Sequence, residues 1–336
     1  MVLQSCKGIA WMLMGRAWLC APLLLAWVVA STAAMGADSP QPRNEPIRPL
    51  VAPTGLDPAK VVLGRKLFFD AILSSDRSIS CATCHNLAHG GDDDRPHSIG
   101  VNGVEGKLNA PTVYNAAYNV AQFWDGRAAT LEDQAGGPIT NPIEMRASWD
   151  EVMERLHRSS YRREFDSAYS DGTTPANVRN AIATFERALV SVNSRFDRWL
   201  LGEDAALTAD EKAGYALFKS YGCTSCHQGA NVGGNLFQRF GFFGNWFQDR
   251  GGVQPEDLGR FNVTKRDSDK FVFKVPSLRM AVLTAPYFHD GSIESLDDAI
   301  RIMGRYQLGR EITGRDVGLI AKFIATLPGE IPEVAR

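Results

Sequence analysis

Apolar residues recur at helical spacing in five places along the chain. The clearest run is Val178, Ile182, Phe185, Leu189, Val192 and Phe196, whose steps of three and four put all six on one helix face. Thr174 is placed to cap that helix, and Pro175 suits its first turn, where a missing N–H breaks no bond. Near the C-terminus, Leu296, Ala299, Ile300 and Met303 predict one helix. Val317, Ile320, Ile324 and Leu327 predict another, stopping at Pro328-Gly329. The last two patterns form a weak internal repeat, Leu56, Gly64, Leu67, Phe68 and then Leu207, Gly214, Leu217, Phe218. Each reads as an amphipathic helix, the second with a capping box from Thr208 and Glu211. Alternating patterns are scarce, and Phe271-Val272-Phe273 is one short candidate strand. The fold class is mainly α.

Each repeated helix leads into a cysteine motif. Cys81-Ala82-Thr83-Cys84-His85 comes after the first and Cys223-Thr224-Ser225-Cys226-His227 after the second. Two thiols separated by two residues can reach the two vinyl groups of one porphyrin edge, and the next residue, histidine, can swing beneath the iron. A zinc or redox reading of Cys-x-x-Cys lacks a matching second ligand pair after either site. The expectation is two cytochrome c-like domains, each with one covalently bound haem c, spanning residues 55–203 and 204–336.

Residues 1–37 read as an export signal. Lys7 and Arg16 precede an apolar run from Ala17 to Met35 that ends in small residues. The run is nearly long enough to span a bilayer, so an uncleaved N-terminal membrane anchor is the alternative. Cys20 has no convincing lipidation signal before it. Cys6 and Cys20 leave with the leader and the other four cysteines belong to the two haem motifs, so none remains for a disulfide. Covalent haem attachment takes place outside the bacterial cytoplasm, which agrees with a periplasmic location. Residues 38–54, rich in proline, read as a flexible linker. The formal charge of −2 becomes more negative once the leader's two cations are removed, which argues against nucleic acid as a partner.

With these motifs in order, the chain resembles the bacterial di-haem cytochrome c peroxidases and their MauG-like relatives over roughly residues 55–328. The resemblance rests on Ser78-Ile79-Ser80, Asn109-Ala110-Pro111-Thr112, Phe123-Trp124-Asp125-Gly126-Arg127, Asn141-Pro142-Ile143-Glu144-Met145, Lys274-Val275-Pro276-Ser277-Leu278-Arg279 and Pro286-Tyr287-Phe288-His289-Asp290-Gly291. It implies a peroxidatic haem in the N-terminal half and an electron-transfer haem in the C-terminal half. Glu144 is then the group that moves a proton between the peroxide oxygens, with Gln134 as its hydrogen-bonding partner, both on a shaped loop. Trp124 matches a tryptophan between the haems, although packing alone would also account for it. Met303 matches the sixth ligand of the second haem, with Met280 as a rival. MauG itself carries tyrosine there, so methionine argues for the peroxidase-like arrangement. Arg279 is expected to pair with a haem propionate. Asn109, Thr284 and Pro286 match the positions that hold Ca²⁺ between the domains.

One departure matters. Well-studied relatives place a blocking histidine after a Ser-Ile-Gly-like triplet, whereas Ser98-Ile99-Gly100 is followed here by Val101. His89 and His97 read as loop residues, His157 as a surface residue and His289 as a structural one. The resemblance thus implies an exported peroxidase reducing hydrogen peroxide to water, with electrons from a small c-type cytochrome or cupredoxin. Peroxide-dependent oxidation of tryptophan or tyrosine in a protein substrate is the alternative, and a non-catalytic di-haem electron carrier is the third reading. A homodimer stays open.

Overall fold

A computed structural model describes residues 42–336, so the leader expected at 1–37 lies outside the described residues. Two helix pairs organise the molecule. Pro58–Phe69 packs on Pro175–Ala188, and Ala209–Tyr221 packs on Gly314–Ile324. The two crossings are built alike. A Cβ on Gly64 would run into the Ala181 carbonyl oxygen, and one on Gly214 into the Leu319 carbonyl oxygen. Glycine is needed at both because the backbones touch there. Four residues on from each of these contacts stands a phenylalanine, and the rings meet as Phe68–Phe185 at 5.2 Å and Phe218–Phe323 at 5.1 Å between centroids. Burying each such ring stabilises the crossing by about 1.5–3 kcal/mol. The weak sequence repeat is therefore a repeated helix crossing.

The caps act where side chains allow. Thr208 Oγ1 accepts from Glu211 N–H at 3.3 Å, while Glu211 Oε2 accepts from Thr208 N–H at 2.8 Å. Thr174 Oγ1 accepts from Asn177 N–H at 3.1 Å.

The long apolar face expected through Phe196 is corrected. The helix ends at Ala188, Asn193 adopts a φ of 61°, and Ser194 caps a new helix, Arg195–Leu200. This break sends Val178, Ile182, Phe185 and Leu189 into a first core, and Phe196, Trp199 and Leu200 into a second. The cores thus divide between 189 and 196, ahead of the expected boundary at 203. Near the C-terminus the chain returns, where Ile331 and Val334 pack on the first core.

The linker expectation is corrected for the described residues from 42 to 50. Arg43 N–H donates to Leu200 O at 2.8 Å, Glu45 accepts from Lys219 Nζ at 2.9 Å, and Ile47 is buried in the second core. Proline-rich composition leaves the backbone extended, but Ile47 and Leu50 have apolar surface to bury. Among the described residues the only sheet pairs Phe237–Arg239 with Val272–Lys274, antiparallel. The candidate strand starts one residue late, because Phe271 has a φ of 63°. No helix of the described residues is long and apolar enough to cross a membrane.

Candidate functional site

Cys81–Cys84 forms one helical turn, started by Ser80, whose N–H donates to Thr83 Oγ1 at 3.0 Å. His85 comes next, with Nδ1 3.2 Å from Gly91 O. A carbonyl oxygen can only accept, so Nδ1 carries the proton and Nε2 offers a lone pair. Burial pushes this imidazole's pKa down, which keeps it neutral, as an iron ligand must be. Burial also pushes the Cys81 thiol up to about 12 and raises Cys84. A pocket of about 420 Å³ opens beside Cys84, walled by Ile79, Ala82 and Ile99.

The second motif repeats the design. Gly222 ends the preceding helix with a φ of 97°, and Cys223–Ser225 turns away from it. His227 Nδ1 lies 3.3 Å from Val232 O, and burial pushes its pKa down to about 4. A cavity of about 550 Å³ is lined by Cys223, Cys226, His227, Met303 and Trp124. Met303 opens a π-helical turn, Met303–Gln307, directly after the helix Leu296–Ile302. Such turns shift a side chain off its helical position, often at functional sites. Met280 is buried in the first core, its sulfur 3.7 Å from Ser191 Oγ, and is absent from the wall of this cavity.

Glu144 stands on a turn after the helix Leu131–Thr140. Its Oε1 accepts from Asn141 Nδ2 at 2.7 Å, and burial raises its pKa against the pull of that bond. Its charge acts on both Cys81 and Cys84, and its backbone packs on Gly100, next to Ile99 of the pocket wall beside Cys84, so it lies near the first haem motif. Gln134 lies on the helix itself, which corrects its placement on a loop. Pro138 sits one turn from the helix end and deprives only the Gln134 carbonyl of its i+4 N–H, so the helix tolerates it. The residue bonded to Glu144 is Asn141, not Gln134. Val101 is 1 % exposed and its N–H donates to Glu144 O at 2.9 Å. Gly100 packs on the Ile143–Glu144 backbone, where a Cβ would strike the Ile143 carbonyl. The position that carries the blocking histidine in the resembling enzymes is therefore beside the acid. His89 Nδ1 lies 3.3 Å from Asp94 Oδ2, and His97 Nδ1 lies 3.1 Å from Glu105 Oε1.

Trp124 Nε1 donates to Asn109 O at 2.9 Å, and its ring meets His289 edge-on with centroids 6.4 Å apart. His289 Nε2 donates in turn to Asp257 Oδ1 at 2.7 Å. Asp257 and Asp290 are both paired with Arg250, so this His/Asp cluster already holds its own cation.

Arg279 is a correction. It is fully buried and donates to Asp197 Oδ1 at 2.8 Å, Ser194 Oγ at 3.2 Å, Ala230 O at 2.8 Å and Arg48 O at 2.9 Å. Four of its five N–H donors are committed to protein, so it is not free to pair with a propionate. The buried cation on the second cavity's wall is Lys274, whose pKa burial pushes down to about 8. Asn109, Thr284 and Pro286 also line this cavity. Asn109 Nδ2 donates to Arg95 O at 2.9 Å, which leaves Oδ1 as the open end of the amide. Among the described residues, neither the Thr284 nor the Pro286 carbonyl accepts a hydrogen bond. Three open oxygens fit a hard cation.

A sequence model of the family described as di-haem cytochrome c peroxidase matches residues 58–205. The cytochrome c551 peroxidase of Nitrosomonas europaea is 46 % identical over 293 residues, covering 86 % of this chain and 86 % of its own. The chain belongs to the di-haem cytochrome c peroxidase family. Cytochrome c peroxidase Ccp of Escherichia coli K12 is also 46 % identical, over 91 % of this chain, but the chain spans only 66 % of that relative's length. A solved MauG-like protein associated with microbial copper homeostasis superposes with a TM-score of 0.75 at 28 % identity, over 86 % of this chain and 94 % of that one.

Several groups at these sites stand outside the residues that the sequence patterns single out. Asn141 stands three residues before Glu144, a turn spacing that marks it as a candidate partner. Lys274 opens a motif read for its arginine alone. Glu186 is 5 % exposed, with its pKa pushed up to about 8 by burial, and its charge acts on Cys81. Nothing in the helical pattern marks Glu186, because it sits among apolar neighbours on a helix turned inward on several sides.

Proposed function

We propose that this chain is an exported di-haem peroxidase that reduces hydrogen peroxide to water, taking electrons from a small c-type cytochrome or cupredoxin in the periplasm. Cys81 and Cys84 would hold one haem c with His85 as its ligand, and Cys223 and Cys226 the other with His227 and Met303. When bound, the haems supply the iron and the electron storage that no side chain here provides. The chain's own residues do the rest. Hydrogen peroxide takes up two electrons and two protons to give two waters. Glu144 accepts the proton of one peroxide oxygen and returns it to the departing one, while Asn141 holds the carboxylate in place.

Trp124, on the wall of the second cavity and bonded to Asn109 O, is assigned the passage of electrons between the halves. Phe242 and Phe243, 66 % and 63 % exposed, reach the same cavity and lie near exposed Arg239 and Arg310. An apolar patch with a basic rim suits a small redox protein with an acidic rim. Ca²⁺ is assigned to Asn109 Oδ1 and the Thr284 and Pro286 carbonyls.

The observation that carries the reading is a half-buried acid, held by Asn141 and packed against Gly100 and Val101, near the first haem motif. A pure electron carrier has no use for one. The second reading, peroxide-dependent oxidation of a tryptophan or tyrosine in a partner protein, is favoured by Val101, which gives the first iron no side-chain ligand at the blocking position. Steady-state peroxide turnover with reduced cytochrome c, run beside mass spectrometry of candidate partner proteins, separates the two. Fast turnover without partner modification supports the peroxidase. Slow turnover with a mass change in a partner overturns it.

A further inference from the structure

A carboxylate is buried without a partner on the loop just beyond the first haem motif. Asp92 is 1 % exposed, and neither Oδ1 nor Oδ2 has a hydrogen-bond partner. Its backbone is fixed, since Asn86 N–H donates to Asp92 O at 2.9 Å. The side chains whose charge acts on it, Asp94 and Asp93, are both negative. A carboxyl buried in this way keeps its proton unless something cationic completes it.

The surroundings say what that is. Gly90 packs on Leu283 and Thr284, where a Cβ would come within 2.8 Å of Leu283 O and 3.0 Å of Thr284 Cγ2. Thr112 Oγ1 donates to Gly90 O at 2.6 Å, and Arg95 O receives Asn109 Nδ2 at 2.9 Å. The loop from 90 to 95 is thus laid against both the 109–112 segment and the 283–287 segment. Asp92 lies at its middle. The same two segments carry the open oxygens of Asn109, Thr284 and Pro286.

We infer that Asp92 is an anionic ligand of a divalent cation held between these segments, together with Asn109, Thr284 and Pro286. The inference rests on the calcium assignment to those three residues and adds a fourth to it. The donor set is carboxylate, amide and carbonyl oxygen, with no nitrogen or sulfur, and it comes from loops that can adjust to a large ion. That combination selects Ca²⁺ over zinc, and over the rigid octahedron that Mg²⁺ demands. A full negative charge also makes the site tighter than neutral oxygens alone would.

The test uses the haem-loaded protein, stripped of metal with a chelator and titrated with calcium chloride by calorimetry. Thermal unfolding is followed with and without calcium. Asp92→Asn should weaken calcium binding by at least the roughly 10–100-fold that losing even an outer partner causes. Its calcium-dependent rise in melting temperature should shrink. Without calcium, the variant should be at least as stable as the parent, because a lone buried charge has been removed. Should Asp92→Asn fail to load haem, Asp92→Ser is read in the same way. Unchanged affinity in the variant overturns Asp92 as a ligand and leaves the calcium assignment standing. A parent protein that binds no calcium overturns both.

Discussion

Replacing Glu144 by glutamine removes a proton acceptor and leaves almost everything around it in place. The Asn141 Nδ2 bond to Oε1, 2.7 Å long, can be accepted by a glutamine carbonyl, and the backbone bond from Val101 is untouched. The variant therefore isolates proton transfer from packing. General acid–base help of this kind is worth roughly 10²–10⁴-fold. At ~1.36 kcal/mol per decade that is about 2.7–5.4 kcal/mol of barrier. Asn141→Ala should cost less, because the acid remains and only its orientation loosens.

The pH profile gives a second readout. To take a proton the carboxyl must be ionised, and burial raises its pKa, so the acid limb of kcat/KM should lie above the ordinary glutamate value. The Asn141 bond favours the ionised form, so Asn141→Ala should move that limb further up. Glu144→Gln should erase it. The assay is peroxide turnover over peroxide concentrations from below KM to saturation, on protein with both haems verified by their pyridine adducts. Near-normal turnover by fully loaded Glu144→Gln would refute the relay.

Arg279→Met should destabilise the protein by about 3–5 kcal/mol in urea, because Asp197 is left buried and unpaired, and neither haem potential should move. A shifted potential with unchanged stability would restore Arg279 to the haem. Met303→Leu should abolish the thioether-to-iron band in the near infrared and lower one haem's potential. Survival of that band, with its loss in Met280→Leu instead, would reverse the assignment. The oxidised protein should give a high-spin signal in electron paramagnetic resonance and react with peroxide without prior reduction, since Val101 cannot ligate and His89 and His97 face Asp94 and Glu105. Two low-spin haems, inert until reduced, would show that another group closes the site.

The parts of this molecule that were legible in the sequence are those with short-range causes. A haem motif needs five adjacent residues, a capping box needs four, and the helices flanking them show in a period of three to four. The features that stayed hidden depend on partners far along the chain. Arg279 looked like a free cation at the end of its motif, yet Asp197 lies 82 residues away and takes its charge. The apolar face through Phe196 looked continuous because the break at Asn193 costs nothing in hydrophobic spacing; only the second core reveals that Phe196 points elsewhere. Gln134 looked like a loop residue because proline normally ends a helix, whereas Pro138 is carried inside one.

The two halves share a helix crossing down to equivalent glycines and phenylalanines, so the different roles proposed for them must come from the segments hung on it. In the second half the helix carrying Met303 widens into a π turn as it passes the His227 cavity, bringing a sulfur to the wall. In the first half no methionine lines the pocket beside Cys84. The chain instead turns at Asn141 after a proline-bearing helix, and presents a carboxylate beside a buried valine. With haems bound as proposed, a thioether on the wall would favour a stable, electron-passing iron, whereas a raised carboxyl beside Val101, which offers no ligand, would favour reaction with peroxide. Exchanging these two local features would be expected to exchange the roles of the halves, and nothing in the shared crossing would resist it.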